Sequence, residues 1–315
     1  MRALWHINPD HSEVRTAPLA ERSGKQQHIT SLYSLISIGT ELTVARGQVP
    51  EQLRSSMRVP YQEGEFLFPV KYGYSLVGKT DTSDTPFHLL HPHQSECIVD
   101  EDDLFEIPVG IPAKRATLVS NVETALTGIW DGEVKSGERI AIVGFGMIGS
   151  LIARIASGIE GTHVAIADVN ERRQEYARQL GFDVLQDLAE ATEPFDVAFH
   201  SSATQAGLQS AIDLVGLEGK VIEMSWYGNR SVTLELGGDF HVLRKKIISS
   251  QVGTIPLKMQ AQWDQRRRKQ AVFDLLKDPA FDMHITHEVT LEEAAELFNQ
   301  WRKTKVEGLG YCIKY

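Results

Sequence analysis

The residues Gly144-Phe145-Gly146-Met147-Ile148-Gly149 fit the pattern G-x-G-x-x-G. Alone the pattern is weak, but here it has a context. It follows Arg139-Ile140-Ala141-Ile142-Val143, a short apolar run that reads as a buried parallel strand, and it opens a helix expected from Met147 to about Ser157. In that setting Gly144 permits a tight turn and Gly146 lets the backbone approach a pyrophosphate, while Gly149 lets helix and strand pack closely. Met147 and Ile148 begin the helix, whose free N–H groups and positive dipole end suit phosphate oxygens. Asp168 ends the next expected strand, His163-Val164-Ala165-Ile166-Ala167. Its carboxylate can accept from ribose hydroxyls and its charge repels a 2′-phosphate, so NAD is expected over NADP. Arg172 and Arg173 follow and soften that preference; Arg173 is counted with the cofactor-binding residues.

These residues need elements to hold them. From about 121 to 252 the pattern alternates strands and helices. After the first two strands come a helix from Asn170 to Leu180, a strand Asp196-Val197-Ala198-Phe199, a helix around Leu208 to Val215 and a strand Val221-Ile222-Glu223-Met224. That is βαβ architecture with a doubly wound parallel sheet, an α/β fold of Rossmann type. Ligands in such sheets bind at the carboxyl ends of strands. His200-Ser201-Ser202 and Ser225-Trp226-Tyr227-Gly228 should therefore border the nicotinamide half, with Ser201 and Ser225 as cofactor contacts.

The first 120 residues differ. Short β-type segments, Ile29 to Ile38, Tyr74 to Gly78 and Phe87 to Leu90, are separated by Gly, Pro, Asp and Ser, and imply a barrel-like β domain. Residues 253–315 return to mixed character. Thr290-Leu291-Glu292-Glu293 is a capping box, and the helix it opens carries Ala294, Leu297, Phe298 and Trp301 along one core-facing stripe. A final strand is expected near the tail, Gly310 to Tyr315. The expected domains are thus 1–120 and 253–315 as one, interrupted by 121–252.

Composition narrows the function. A net charge of -10 disfavours nucleic acid as the main partner. The dense basic run Arg266-Arg267-Arg268-Lys269 reads as a solvated helix face. Two distant cysteines, Cys97 and Cys312, neither suggest a disulfide framework nor supply a four-cysteine zinc site. There is no secretion signal at Met1 to His6 and no apolar run of membrane-spanning length, so a cytoplasmic protein that uses no membrane is expected.

The order of a β domain, a Rossmann domain and a short return resembles the medium-chain dehydrogenase/reductase superfamily, over nearly the whole chain. The resemblance implies a GroES-like β-barrel for the catalytic domain. Ser37-Ile38-Gly39-Thr40-Glu41 resembles the segment bearing the first catalytic zinc ligand of the zinc enzymes. Phe68-Pro69-Val70-Lys71-Tyr72-Gly73-Tyr74-Ser75 resembles the segment bearing the second. The nearest branch suggested is that of bacteriochlorophyllide dehydrogenase-like proteins, through Gly39-Thr40-Glu41, Ser249-Ser250-Gln251-Val252-Gly253 and Ile285-Thr286-His287. Where the zinc enzymes place Cys this chain has Ile38; where they place His and Glu it has Tyr74 and Ser75. The third ligand falls near Ser120, with Glu123 one turn on. No catalytic zinc and no other metal is therefore expected.

Without a metal, hydrogen-bond donors must stabilise the developing oxyanion and supply a proton. Thr40 matches the family's hydroxyl relay position. Tyr74 should point into the cleft the zinc would occupy, either as a proton donor or as a ring that fills space. His91-Pro92-His93 lies in a loop that borders the substrate pocket in this family, so His93 is an acid–base candidate, with a plain surface loop as the alternative. His88, His91, His93 and Cys97 match no common metal spacing. Thr124 falls where the family touches the nicotinamide. Lys71 is either a site residue or snorkels outward. The reading is a zinc-independent, NAD(H)-dependent alcohol dehydrogenase or carbonyl reductase acting on a small-molecule substrate, with a homo-oligomer (dimer or tetramer) implied by the resemblance. The alternatives are an NADPH-dependent quinone or enone reductase and a catalytically inactive dinucleotide-binding protein.

Overall fold

Arg139–Val143 and His163–Ala167 pair side by side in parallel, with Ile140 opposite Val164 and Ile142 opposite Ile166. Four of the five residues in each strand are buried, which is why both read as continuous apolar runs rather than alternating ones. In the computed structural model, which describes residues 1–186 and 191–315, these strands belong to a six-stranded sheet. Its spatial order is Asp183–Val184, His163–Ala167, Arg139–Val143, Phe195–His200, Val215–Glu223, Lys246–Ser249. All its pairings are parallel. Numbered along the chain the order is 3-2-1-4-5-6, the doubly wound arrangement. The helices Met147–Ser157, Glu171–Gln179 and Gln205–Leu214 follow the strands Arg139–Val143, His163–Ala167 and Phe195–His200. One face of the sheet is filled by Ala141, Val143, Ala198 and Val221 against Leu208, Ala211 and Ile212.

The chain divides into two compact units, residues 1–120 with 228–230 and 273–315, and residues 121–227 with 231–272. The return to the first unit thus falls at Phe273 instead of at 253. Chemistry in the helix Gln265–Leu275 explains the shift. Arg268 and Lys269, expected on a solvated face, are buried and paired with the buried Glu123 at 3.2 and 2.9 Å. Arg268 also donates to Val252 O at 2.7 Å. A basic run in sequence carries no sign of a carboxylate some 145 positions away.

The first unit is built of two sheets. In the larger, Gln26–Ile36 is flanked by Leu76–Thr80 and Tyr311–Lys314 and also pairs with Glu96–Asp100. The smaller orders His11–Thr16, Arg2–Asn8, Val70–Lys71 and Glu63–Gly64. The capping box forms as expected: the Glu293 N–H donates to Thr290 Oγ1 at 3.2 Å, and the Glu293 carboxylate accepts the Thr290 N–H at 2.7 Å. The stripe Ala294, Phe298 and Trp301 then packs with Leu4, Ile36, Tyr311 and Ile313.

The strand expected to run to Ile38 ends at Ile36, Ser37 is an N-cap, and Ile38–Ala45 is a helix. The Glu41 carboxylate turns back to accept the Ser37 N–H at 2.6 Å, satisfying a donor at the helix start. His88, His91 and His93 are buried, so the loop around them is not a plain surface loop. Lys71 does not snorkel: it is 1% exposed, donates to Glu63 at 2.6 Å and also bonds the Gln94 side chain.

Candidate functional site

In the dinucleotide-type unit, the carboxyl ends of the central strands converge on the glycine turn. Gly144 has φ +98°, and a Cβ there would lie 2.7 Å from Ser202 N. Gly149 must be glycine because a Cβ would sit 2.0 Å from Gly144 O. Ser201 locks the turn, its hydroxyl donating to Gly144 O at 2.7 Å and its N–H to Val143 O at 2.9 Å. Gly146 is the N-cap of Met147–Ser157 and no side chain caps that end. A Cβ on Gly146 would meet only the end of Arg173, at 3.6 Å. Space and free donors at one helix start are what a pyrophosphate requires. Met147, buried, and Ile148 form the first turn behind it.

Asp168 sits beside this turn. Its Oδ2 accepts the Phe145 N–H at 2.6 Å and its Oδ1 the Asn170 N–H at 2.8 Å. A carboxylate has about four lone-pair sites, so two remain for ribose hydroxyls. Arg173 Nη1 approaches Oδ2 to 3.9 Å, placing a cation next to the group that would repel a 2′-phosphate. Ser225 follows Val215–Glu223, and its hydroxyl accepts the Ala203 N–H at 3.0 Å. Thr124 is half-buried in the helix Val119–Gly132. The glycines, Asp168, Arg173 and Ser201 are thus brought together, and they fit a dinucleotide.

The second cluster lies in the other unit and centres on Glu41, which is fully buried. His93 Nε2 donates to Glu41 Oε2 at 2.8 Å, and His93 Nδ1 lies 2.8 Å from Ser34 Oγ. Ser34 Oγ is also 2.8 Å from the Tyr315 hydroxyl. Tyr74, half-buried, bonds the side chains of Ser37 and Thr40, and burial beside the Glu41 charge pushes its phenol up to about 12. Thr40 and Tyr74 are therefore brought together. His93 is placed differently: both ring nitrogens are committed and no part of it is exposed, so it holds Glu41. His91 donates from Nδ1 to Pro92 O at 2.8 Å, and burial pushes it down to about 3. It is neutral at pH 7.

The three positions matching zinc-ligand segments hold Ile38, Tyr74 and Ser120. Ile38 has no donor atom, Tyr74 bonds Ser37 and Thr40, and Ser120 Oγ donates to Tyr74 O at 2.9 Å. The nearby His93 and Glu41 are spent on each other. Among the described residues no group of three or more His, Cys, Asp or Glu is arranged to hold a metal ion. This donor set does not fit zinc. Glu41 escaped the sequence reading. Its signal was an acidic residue immediately after Thr40, in a helix whose remaining residues Leu42, Thr43, Val44 and Ala45 are buried.

No protein-family profile matches the chain. It is 30% identical over 139 residues to 2-dehydro-3-deoxy-L-galactonate 5-dehydrogenase of Pseudoalteromonas atlantica, covering 41% of this chain and 40% of that protein. It is 25% identical over 232 residues to (R,R)-butanediol dehydrogenase of Bacillus subtilis, covering 69% of this chain and 59% of that protein. The chain therefore matches less than two thirds of the length of these relatives. Among solved structures, acetophenone reductase from Geotrichum candidum in complex with NAD superposes with a TM-score of 0.78 at 17% identity, covering 100% of this chain and 97% of that one. The fold is that of the medium-chain dehydrogenases, a Rossmann sheet joined to an antiparallel β unit.

Proposed function

We propose that the protein is an NAD(H)-dependent oxidoreductase of the medium-chain dehydrogenase/reductase superfamily that interconverts a carbonyl and an alcohol on a small organic substrate without a catalytic zinc. The observation that carries it is the cradle at Gly144, Gly146 and Gly149, with its uncapped helix start and Asp168 alongside. The dehydrogenase relatives and the shared fold support the same class. When bound, the nicotinamide supplies or takes up the hydride.

The remaining work falls to the chain's own groups. Tyr74, a phenol and therefore protonated at neutral pH, can donate to an oxygen that gains negative charge during carbonyl reduction. Thr40 bonds the phenol and orients it. Burial, with the Glu41 charge beside it, raises the phenol, and Glu41 is itself positioned by His93 and the Ser37 N–H. The mismatch between Ile38, Tyr74 and Ser120 and any zinc coordination supports the metal-free form of this reading. The proximity of Arg173 to Asp168 favours one secondary reading, in which NADP is also accepted.

Titration with NADH and NADPH, followed by nicotinamide fluorescence, tests the proposal. NADH should bind more tightly, and Asp168→Ala should weaken NADH far more than NADPH. Equal effects on the two would refute the role of Asp168. Failure of both nucleotides to bind would overturn the oxidoreductase reading and leave a repurposed fold. Binding with no turnover of any carbonyl or alcohol would point to an inactive dinucleotide-binding protein, and turnover only with NADPH and enones or quinones to a reductase of that kind.

A further inference from the structure

His200 is the last residue of Phe195–His200, and Glu223, the last of Val215–Glu223, is its register partner across the sheet. The imidazole is fully buried, and its Nδ1 lies 2.9 Å from both Glu223 oxygens. Glu223 is fixed in turn by the Ser225 N–H at 2.7 Å and the Tyr227 hydroxyl at 3.0 Å. A carboxylate only accepts, so Nδ1 carries the proton and, in a neutral ring, Nε2 is left as the acceptor. Facing Nε2 at 2.7 Å is Ser202 Oγ. Thr204 Oγ1 lies 2.9 Å from Ser202 Oγ and also accepts the Gly207 N–H at 3.0 Å. Its hydroxyl proton is free to point at Ser202, which leaves the Ser202 proton for His200.

The setting matches this polarity. Ser202 lies in the strand-to-helix turn at the carboxyl edge of a parallel sheet, between Phe195–His200 and Gln205–Leu214. The next residue, Ala203, has φ +53°, a strained value for a residue with a Cβ. Glycines stand where side chains would crowd the pair. A Cβ on Gly207 would be 2.2 Å from Ser202 Oγ and 3.0 Å from His200 Nε2, and one on Gly144 would be 2.9 Å from Ser202 Cβ. A nucleophile bonded to a base, a base bonded to a carboxylate, and a strained turn presenting the nucleophile are three of the parts of a serine acyl-transfer site, recognised by geometry and not by sequence order.

We propose that Ser202, His200 and Glu223 form a second catalytic site that hydrolyses small carboxylic esters through an acyl-serine. This goes beyond the oxidoreductase reading and does not depend on it. Ser202 Oγ bonds to the ester carbonyl carbon as its proton passes to His200 Nε2. The C–O bond to the alcohol breaks as Nε2 returns that proton to the leaving oxygen. Water then attacks the acyl-serine with His200 again carrying the proton, releasing the acid and restoring Ser202. Glu223 holds the ring through Nδ1. No electrons change hands, and water is the sole co-reactant.

The test uses the full-length protein free of nucleotide, with p-nitrophenyl acetate as substrate and a fluorophosphonate as covalent probe. The expected result is release of nitrophenolate and one probe per chain, mapped by mass spectrometry to Ser202. Ser202→Ala should abolish both. Glu223→Gln should slow both while the far-ultraviolet circular dichroism is unchanged, and His200→Ala should slow acylation by about 10²–10⁴-fold. If His200→Ala does not fold, the Ser202→Ala and Glu223→Gln proteins decide the matter. Absence of labelling in the unmodified protein, or labelling and hydrolysis that persist in Ser202→Ala, would overturn the proposal, as would a Glu223→Gln protein with undiminished rates.

Discussion

Tyr74 has two jobs open to it, filling space and moving a proton, and the phenol oxygen separates them. Its bonds to Ser37 and Thr40 and its raised pKa of about 12 give the hydroxyl a defined partner set and a fixed protonation state. A ring that only filled space would share the raised pKa, which burial produces, but would not need the two hydrogen bonds. Tyr74→Phe keeps the ring and removes the oxygen. For carbonyl reduction by NADH, the expected outcome is a fall in kcat of about a hundredfold with KM nearly unchanged, the size typical of a lost proton donor. Steady-state kinetics on any accepted carbonyl make the measurement. Unchanged kcat would assign Tyr74 to packing and leave Thr40 as the remaining donor of the pair. His93 shows the converse case at the same scale: a histidine of the right type whose two nitrogens are already committed, to Glu41 and toward Ser34, has none left for a substrate.

At the scale of elements, the helix Gln265–Leu275 is docked by charge as well as by apolar contact. Glu123, on the helix Val119–Gly132, pairs with both Arg268 and Lys269, and all three are at most 5% exposed. Two cations held by one carboxylate away from water is a costly arrangement if the carboxylate is lost. Removing one partner of a buried ion pair typically costs about 3–5 kcal/mol, because the remaining charge is left uncompensated. Glu123→Gln should therefore lower the urea midpoint markedly, whereas Glu292→Gln, at an exposed pair with Arg2, should change the unfolding free energy by no more than about 1 kcal/mol and barely move the midpoint. Equal midpoints for the two variants would show that the buried cluster adds nothing to stability.

At the scale of the whole molecule, buried titratable groups set the pH range of stability. Burial pushes His6 and His91 down to about 3, while in the unfolded chain they titrate near 6.5. Below 6.5 the unfolded state binds protons that the folded state refuses, so this contribution is full above 6.5 and lost as pH falls toward 3. On the alkaline side, burial raises Cys97, Cys312 and Tyr74 to about 12. The folded state there holds protons that the unfolded chain releases, so stability is lost as pH rises through roughly 9 to 12. Calorimetry should find Tm flat between pH 7 and 8.5 and falling on both sides. A Tm that rose between pH 6.5 and 4 would contradict the buried, neutral state of the two histidines.

Much of this was legible in order along the chain. The glycine turn, Asp168, the alternating strands and helices and the capping box at Thr290 depend on neighbours a few positions apart, where spacing alone dictates geometry. The absence of metal-binding side chains at Ile38, Tyr74 and Ser120 was likewise a matter of residue type. What only the tertiary structure decided are the partnerships between distant segments: Glu41 with His93, Glu123 with Arg268 and Lys269, His200 with Glu223, and Lys71 with Gln94. The physical reason is that a charged or polar side chain is read from sequence as solvent-facing by default, since leaving it buried and unpaired is costly. Burial becomes acceptable only when a complementary group arrives from elsewhere in the fold, and composition and periodicity do not encode which one will.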